Sequence, residues 1–244
     1  MARLTTAARV QRKEALDEEV LDAAELRGNL RDLEQFNRWF GGTNAVLDEL
    51  SRLTRDLQPG ARLRILDAGT GGADIARAIV GWAARSGYRV QVVACDRHPQ
   101  VAAAAREFCA GFSEIEVVET DVLEARWPDG FFDFAVCALT LHHLDDGEAL
   151  TLLRRLAEAT RGGVIVSDLE RSALAVAGVW LATRLLSRNR MTRHDGPLSV
   201  RRAFRPHELV RLGERAGLRV ERCYRRPFFR IVAVFARAES VWRT

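Results

Sequence analysis

Five short apolar runs punctuate the chain, each soon followed by a polar residue. They are Leu63–Leu66, Val90–Cys95, Ile115–Val118, Phe132–Leu139 and Val164–Val166. Helical patterns lie between them: Ile75, Ile79 and Trp82 share one stripe, and Gln100–Phe108 and Gly147–Thr160 also read as helices. Strands alternating with helices predict a parallel sheet built from βαβ units. Right-handed crossovers bring the C-terminal strand ends to one edge. Asp67, Asp96, Asp121 and His142 then meet there, although they are far apart in sequence. Open α/β sheets bind their ligands at that edge.

The first run ends in Asp67-Ala68-Gly69-Thr70-Gly71-Gly72 and passes into a helical pattern. Glycines allow a sharp turn and close approach of a ligand to the backbone. The helix start behind them offers free N–H groups and the positive end of a dipole. A full G-x-G-x-x-G would need glycine at position 74, which is Asp74. The dinucleotide fingerprint is therefore incomplete.

Four stretches in order resemble the class I S-adenosylmethionine-dependent methyltransferases, nearest to the ubiquinone/menaquinone-biosynthesis group. They are Leu66-Asp67-Ala68-Gly69-Thr70-Gly71, Val93-Ala94-Cys95-Asp96, Glu119-Thr120-Asp121-Val122, and Phe132-Asp133-Phe134-Ala135-Val136 with Leu141-His142-His143-Leu144. The similarity covers roughly residues 35–237 and includes a closing hairpin, Cys223–Arg237. It departs at Ala73, where the family often has another glycine. It implies a Rossmann-like seven-stranded, mostly parallel sheet with an antiparallel last strand. Helices would cover both faces, with a helical extension at residues 1–60 and a catalytic domain at 61–244. A substrate lid would lie at about 171–205. The implied cofactor is S-adenosyl-L-methionine. Asp67 would hold the first turn and approach the cofactor's amino group, and Gly69, Thr70 and Gly71 would pass beside its methionine part. Asp96, next to Arg97, would accept from the ribose hydroxyls, as a pure acceptor suits. Asp121 and Val122 would meet the adenine, and Ala138 would border the sulfonium.

A phenolic or enolic acceptor needs a base, and histidine suits that near neutral pH. His142 is the first candidate and His194, beside Asp195, the second. Arg38, His143, Trp180 and Met191 are candidate acceptor contacts, on the N-terminal helix, beyond the fourth strand and on the lid. Leu26, Leu30, Leu33, Phe36 and Phe40 mark that N-terminal helix, which Gly41-Gly42 stops. A second helix follows over Thr43–Leu57. Leu174–Leu186 reads as a helix apolar nearly all round, for which core packing is the commoner explanation. A basic loop, Ser187–Phe204, and a helix from Pro206 follow. An apolar lid points to a hydrophobic acceptor, aromatic, quinol or polyketide-like.

The four cysteines show no metal-ligand spacing, so no metal is expected, and their pattern fits a reducing cytoplasm. The net charge is +4, yet Lys13 is the sole lysine and the arginines are spread along the chain. No aromatic–arginine module suggests nucleic acid. Ala173–Leu186 is too short to span a membrane, and no secretion signal is read. Glu14, Asp17, Glu18 and Glu19 argue against a transit peptide, and the first ~15 residues are expected to be loose. The expected state is a monomer or homodimer. Two other classes compete: a nicotinamide-dependent oxidoreductase, which lacks a Tyr-x-x-x-Lys pair here, and a catalytically silent methyltransferase-like subunit.

Overall fold

A computed structural model describes residues 8–18 and 20–237. Seven strands form one sheet in the order β3-β2-β1-β4-β5-β7-β6. They are β1 (Arg62–Ala68), β2 (Arg89–Asp96), β3 (Ile115–Glu119), β4 (Phe132–Ala138), β5 (Thr160–Leu169), β6 (Leu218–Arg226) and β7 (Arg230–Arg237). The first five pair in parallel, and β7 runs antiparallel between β5 and β6. The chain order reverses between β1 and β4, where a crevice opens at the C-terminal strand ends.

Both sheet faces are covered, so the central strands read as continuous apolar runs. On one face Ile65, Val92 and Phe134 pack with Ile75, Ile79 and Trp82 of α3 (Asp74–Ser86) and Val46 and Leu50 of α2 (Gly42–Leu53). On the other, Leu66, Ala135 and Val166 pack with Leu152 and Leu156 of α5 (Asp146–Ala159) and Leu209 and Leu212 of α8 (Pro206–Arg215). Leu26 and Leu30 of α1 (Ala23–Trp39) join Val101 and Ala104 of α4 (Pro99–Phe108) and Met191 in a third, smaller cluster.

Three local expectations change. The segment read as a basic loop contains a helix, α7 (Arg190–Arg202). Its Gly196-Pro197 pair looks like a turn signal. Instead, a Cβ at Gly196 would stand 2.8 Å from Thr183 Cγ2 of α6 (Ala173–Leu186), so glycine serves a close helix crossing. Asn189 caps α7 by accepting from the Thr192 N–H at 3.0 Å. Several arginines there are internally engaged: Arg193 donates to Ser187 O, and buried Arg202 pairs with Asp17 at 2.9 Å.

Helix α6 does not hide its large side chains in the core: Leu174, Trp180, Leu181, Leu185 and Leu186 are exposed, and only Ala175 and Thr183 are buried. Of the N-terminal stretch expected to be loose, the described residues are seated. Arg9 donates to Arg202 O and Leu144 O, and the Ala15 and Leu16 N–H groups donate to the Asp195 carboxylate. Residues 1–7 and Glu19 lie outside the described residues.

Helices α1 and α7 together form a roof over the strand ends. Asn29 donates to the Thr192 hydroxyl at 3.0 Å, Asn189 donates to Glu25 O at 2.7 Å, and Ser187 bonds Asp32.

Candidate active site

The glycine turn after β1 is built by contacts that run across the sheet edge. The Gly69 and Thr70 N–H groups both donate to Cys95 O at 2.9 Å. Gly69 has φ +71°, and a Cβ there would lie 2.3 Å from Thr140 Cγ2. Thr140 in turn donates to Gly69 O at 3.0 Å. Ala73 takes the left-handed conformation at φ +55°, so the turn keeps its shape without a glycine at that position. Such a φ costs an alanine about 1–2 kcal/mol. Leu139, just past β4, is also left-handed at φ +54°. Strained residues of this kind cluster at ligand sites.

Asp67 is buried and accepts from the Thr70 hydroxyl at 2.6 Å. Burial pushes its carboxyl up to about 7; the Thr70 bond works against this, and Asp74 and Asp96 add to it. Asp96 accepts from the Gly71 N–H through one oxygen and from the His98 N–H through the other, both at 3.0 Å. Burial raises its pKa as well, against those two bonds. Asp121 accepts from the Leu123 N–H at 2.8 Å through one oxygen, and its other oxygen has no partner among the described residues.

These strand ends border a cavity of about 280 Å³. Gly69, Thr70, Gly71, Asp96, Arg97, Asp121, Val122, Ala138, His142 and His143 all line it. Asp67 stands behind the turn rather than in the wall. Leu33, Phe36, Phe40, Val179 and Phe228 give the wall an apolar part, and Asn37, Asp74, Asp195 and Arg230 a polar one.

Beyond β4, His142 is buried against Asp168 at the end of β5. Its Nδ1 lies 2.7 Å from Asp168 Oδ1, and its backbone N–H donates to Asp168 Oδ2 at 3.1 Å. Burial would raise the Asp168 pKa, but the charge and hydrogen bond of His142 outweigh it and hold it below the ordinary value. In the tautomer that donates from Nδ1 to Asp168, Nε2 is the acceptor nitrogen. That atom stands 3.6 Å from Glu14 Oε1, a buried oxygen without a hydrogen-bond partner. His143 turns its Nδ1 to Asp17 at 2.9 Å. Burial lowers the His143 pKa, yet Glu14 and Asp17 carry it above the ordinary value.

Glu14, His142 and His143 bring ligand-type atoms within 4.8 Å of one another, a set able by donor type to hold a divalent cation. The guanidinium of Arg202, 3.6 Å from Glu14, already supplies a cation there.

Four expected contacts do not line the cavity. Arg38 is exposed, one residue off the face that presents Asn37. Trp180 faces outward under the Arg184 guanidinium, while its neighbour Val179 faces in. Met191 is buried beneath α1, and His194 is half exposed beside Asp195. In each case the helix period turns the adjacent residue to the cavity instead. Sequence reasoning missed Glu14, Asn37, Asp74, Asp168 and Arg230 as site residues. Asp168 had a signal, since it ends the fifth apolar run as Asp67 and Asp96 end theirs; the others had none.

The arrangement fits a nucleoside-type cofactor. Each Asp96 oxygen keeps lone-pair capacity for a vicinal diol, and the Gly69 backbone reaches its wall with no room for a side chain.

Residues 65–181 match the family model described as a methyltransferase domain. No curated protein matches the sequence. Among solved structures, one similar fold is a SAM-dependent methyltransferase from Aquifex aeolicus, with 18% identity and a TM-score of 0.62. That match covers 88% of this chain and 98% of the other. The mitomycin 7-O-methyltransferase is 23% identical with a TM-score of 0.56, over 89% of this chain and 61% of that one. An O-methyltransferase from neocarzinostatin biosynthesis, in complex with S-adenosylmethionine and 2-hydroxy-5-methyl naphthoic acid, is 23% identical with a TM-score of 0.53. It is covered over 48% of its length by 71% of this chain. The chain thus spans under two thirds of these last two proteins.

Proposed function

Because the chain carries the domain and fold of the S-adenosylmethionine-dependent methyltransferases, we propose that it O-methylates a hydrophobic small molecule bearing a phenol or enol. The observation that carries this reading is the His142–Asp168 pair, with His142 in the wall of a cavity that also carries Phe36, Phe40, Val179 and Phe228. The O-methyltransferases of secondary metabolism with a similar fold support the class of acceptor.

When bound, S-adenosylmethionine supplies an activated methyl group. The protein's tasks are alignment, exclusion of water and removal of one proton. Asp96 would bind the ribose diol, Asp121 and Val122 the adenine, and Asp67 would face the amino group from behind the turn. Phe36, Phe40, Val179 and Phe228 would hold the acceptor's apolar body and keep water out. His142 would take the acceptor hydroxyl proton on Nε2 as the oxygen gains the methyl group. Asp168 fixes the tautomer and stabilises the imidazolium that results. Arg38, Trp180, Met191 and His194 are not part of this reading.

No described helix is long and apolar enough to cross a membrane. All four cysteines are free, which supports a reducing cytoplasm as the place of action. The decisive experiment is calorimetric titration with S-adenosylmethionine, S-adenosylhomocysteine and NADH. Binding of the first two alone, weakened by about 1–3 kcal/mol in Asp96→Ala, is expected. Binding of NADH alone would overturn the reading.

A further inference from the structure

Arg230 opens β7 and is buried in the cavity wall, only 4% exposed. A guanidinium has five N–H donors. This one makes a single hydrogen bond, from Nη2 to Asn37 Oδ1 at 3.1 Å. Its Nε is buried without a partner. It pairs with no carboxylate among the described residues. Asp168 and Asp74 act on it electrostatically, and each is engaged elsewhere, with His142 and Asn37.

The other buried arginines are treated differently. Arg171 also has a buried Nε without a partner, but its guanidinium pairs with Glu208 at 2.6 Å and donates to Ala203 O. Arg202 pairs with Asp17 and donates to His143 O. A buried cation left unpaired is costly, and burial accordingly lowers the Arg230 pKa to about 10. It therefore remains charged near neutral pH. A planar guanidinium with unused donors matches a carboxylate, which can accept two N–H bonds at once. The lining beside it is apolar: Leu169, Phe40 and Phe228, the last two with ring centroids 5.2 Å apart.

We propose that Arg230 receives a carboxylate of the methyl acceptor, so that the acceptor is a hydrophobic hydroxy acid rather than a neutral phenol. This rests on the reading that the cavity receives a methyl acceptor. The acid would neutralise the buried cation while its apolar body fills the space under α6 and α1.

The test uses the full chain, with and without saturating S-adenosylhomocysteine, at constant ionic strength. Benzoate and its neutral counterpart benzamide are titrated by calorimetry. In parallel, the Arg230 Nε–H resonance is followed by NMR, assigned by its loss in Arg230→Gln. Benzoate is expected to bind at least about tenfold more tightly than benzamide, as a charge-assisted bidentate contact allows. It should shift the Nε–H resonance saturably. The preference should vanish in Arg230→Gln and return in part in Arg230→Lys. Equal binding of the two probes, or a preference that survives Arg230→Gln, would overturn the proposal. So would an Nε–H shift caused by S-adenosylhomocysteine alone that blocks benzoate, since the cofactor's carboxylate would then be the anion. If the glutamine variant does not fold, Arg230→Lys, which also lacks the guanidinium Nε–H, supplies the assignment and the wild-type spectrum decides the matter. Failure of S-adenosylhomocysteine to bind at all counts against the methyltransferase reading, whereas the benzoate arm without it tests Arg230 alone.

Discussion

Replacing Asp67 by asparagine separates the acid's charge from its shape. Burial raises its pKa from 3.8 to about 7. The folded protein therefore holds a proton that the unfolded chain has released between those values. Stability falls as pH rises through that window, because the folded state binds more protons than the unfolded state. The gap is worth about 4 kcal/mol. Asp67→Asn has no charge to bury, so it escapes this penalty, although it loses some quality in the Thr70 contact. Urea unfolding at pH 5 and pH 8 should show the variant gaining several kcal/mol on the wild type at the higher pH, of the order of 2–4 kcal/mol. A cationic ligand beside Asp67 would also pull its proton off. Titration of S-adenosylhomocysteine near pH 6.5 in buffers of different ionisation enthalpy should then reveal proton release, absent in Asp67→Asn. An equal stability difference between the two proteins at both pH values would refute the burial argument. Proton release that persists in Asp67→Asn would place it elsewhere.

Other perturbations follow from the same geometry. His142→Gln should lower turnover by about 10²–10⁴-fold, the range of a general base, and leave S-adenosylhomocysteine affinity within twofold. Asp168→Asn should depress turnover too, and shift the pH–rate profile, because the imidazolium loses its counter-charge; an unaltered profile would remove Asp168 from the reaction. Gly69→Ala should destabilise the protein by about 2–5 kcal/mol, from the left-handed φ and the Thr140 clash together, measured by urea unfolding. The raised His143 pKa contributes stability that is complete below its unfolded value near 6.5 and is lost as pH rises through the folded value. A His143→Gln variant should therefore lose that decline in thermal scans above pH 6.5.

The sheet and its acidic strand ends were legible because their signals are local. Apolar runs of strand length end in Asp67, Asp96 and Asp168, and a glycine turn needs only a few adjacent residues. The alternation of helices then fixes the edge on which those ends meet. Helix α7 was hidden because Gly196-Pro197 carries the local cue of a turn, while its real constraint is the crossing with α6. Arg38, Trp180 and His194 missed the cavity by one helical position, an error that composition cannot reveal. Arg230 and Glu14 could not be foreseen at all. Nothing near them in sequence marks them, and only the packing of β7 and the N-terminal segment brings them to the cavity.

The seating of the N-terminal segment on α7 also dictates an order of assembly. Glu14 bonds Ser199, and Asp17 pairs with Arg202, across 185 residues of chain. On a ribosome, Glu14 and Asp17 must wait for 185 further residues before they can dock. Strands β1 to β5 all precede Ser199 and Arg202 in the chain, so the sheet can condense around an open crevice. Contacts of such long separation are slow to form. The segment that brings Glu14 and Asp17 to the ligand edge is therefore seated only after the strands beneath that edge exist.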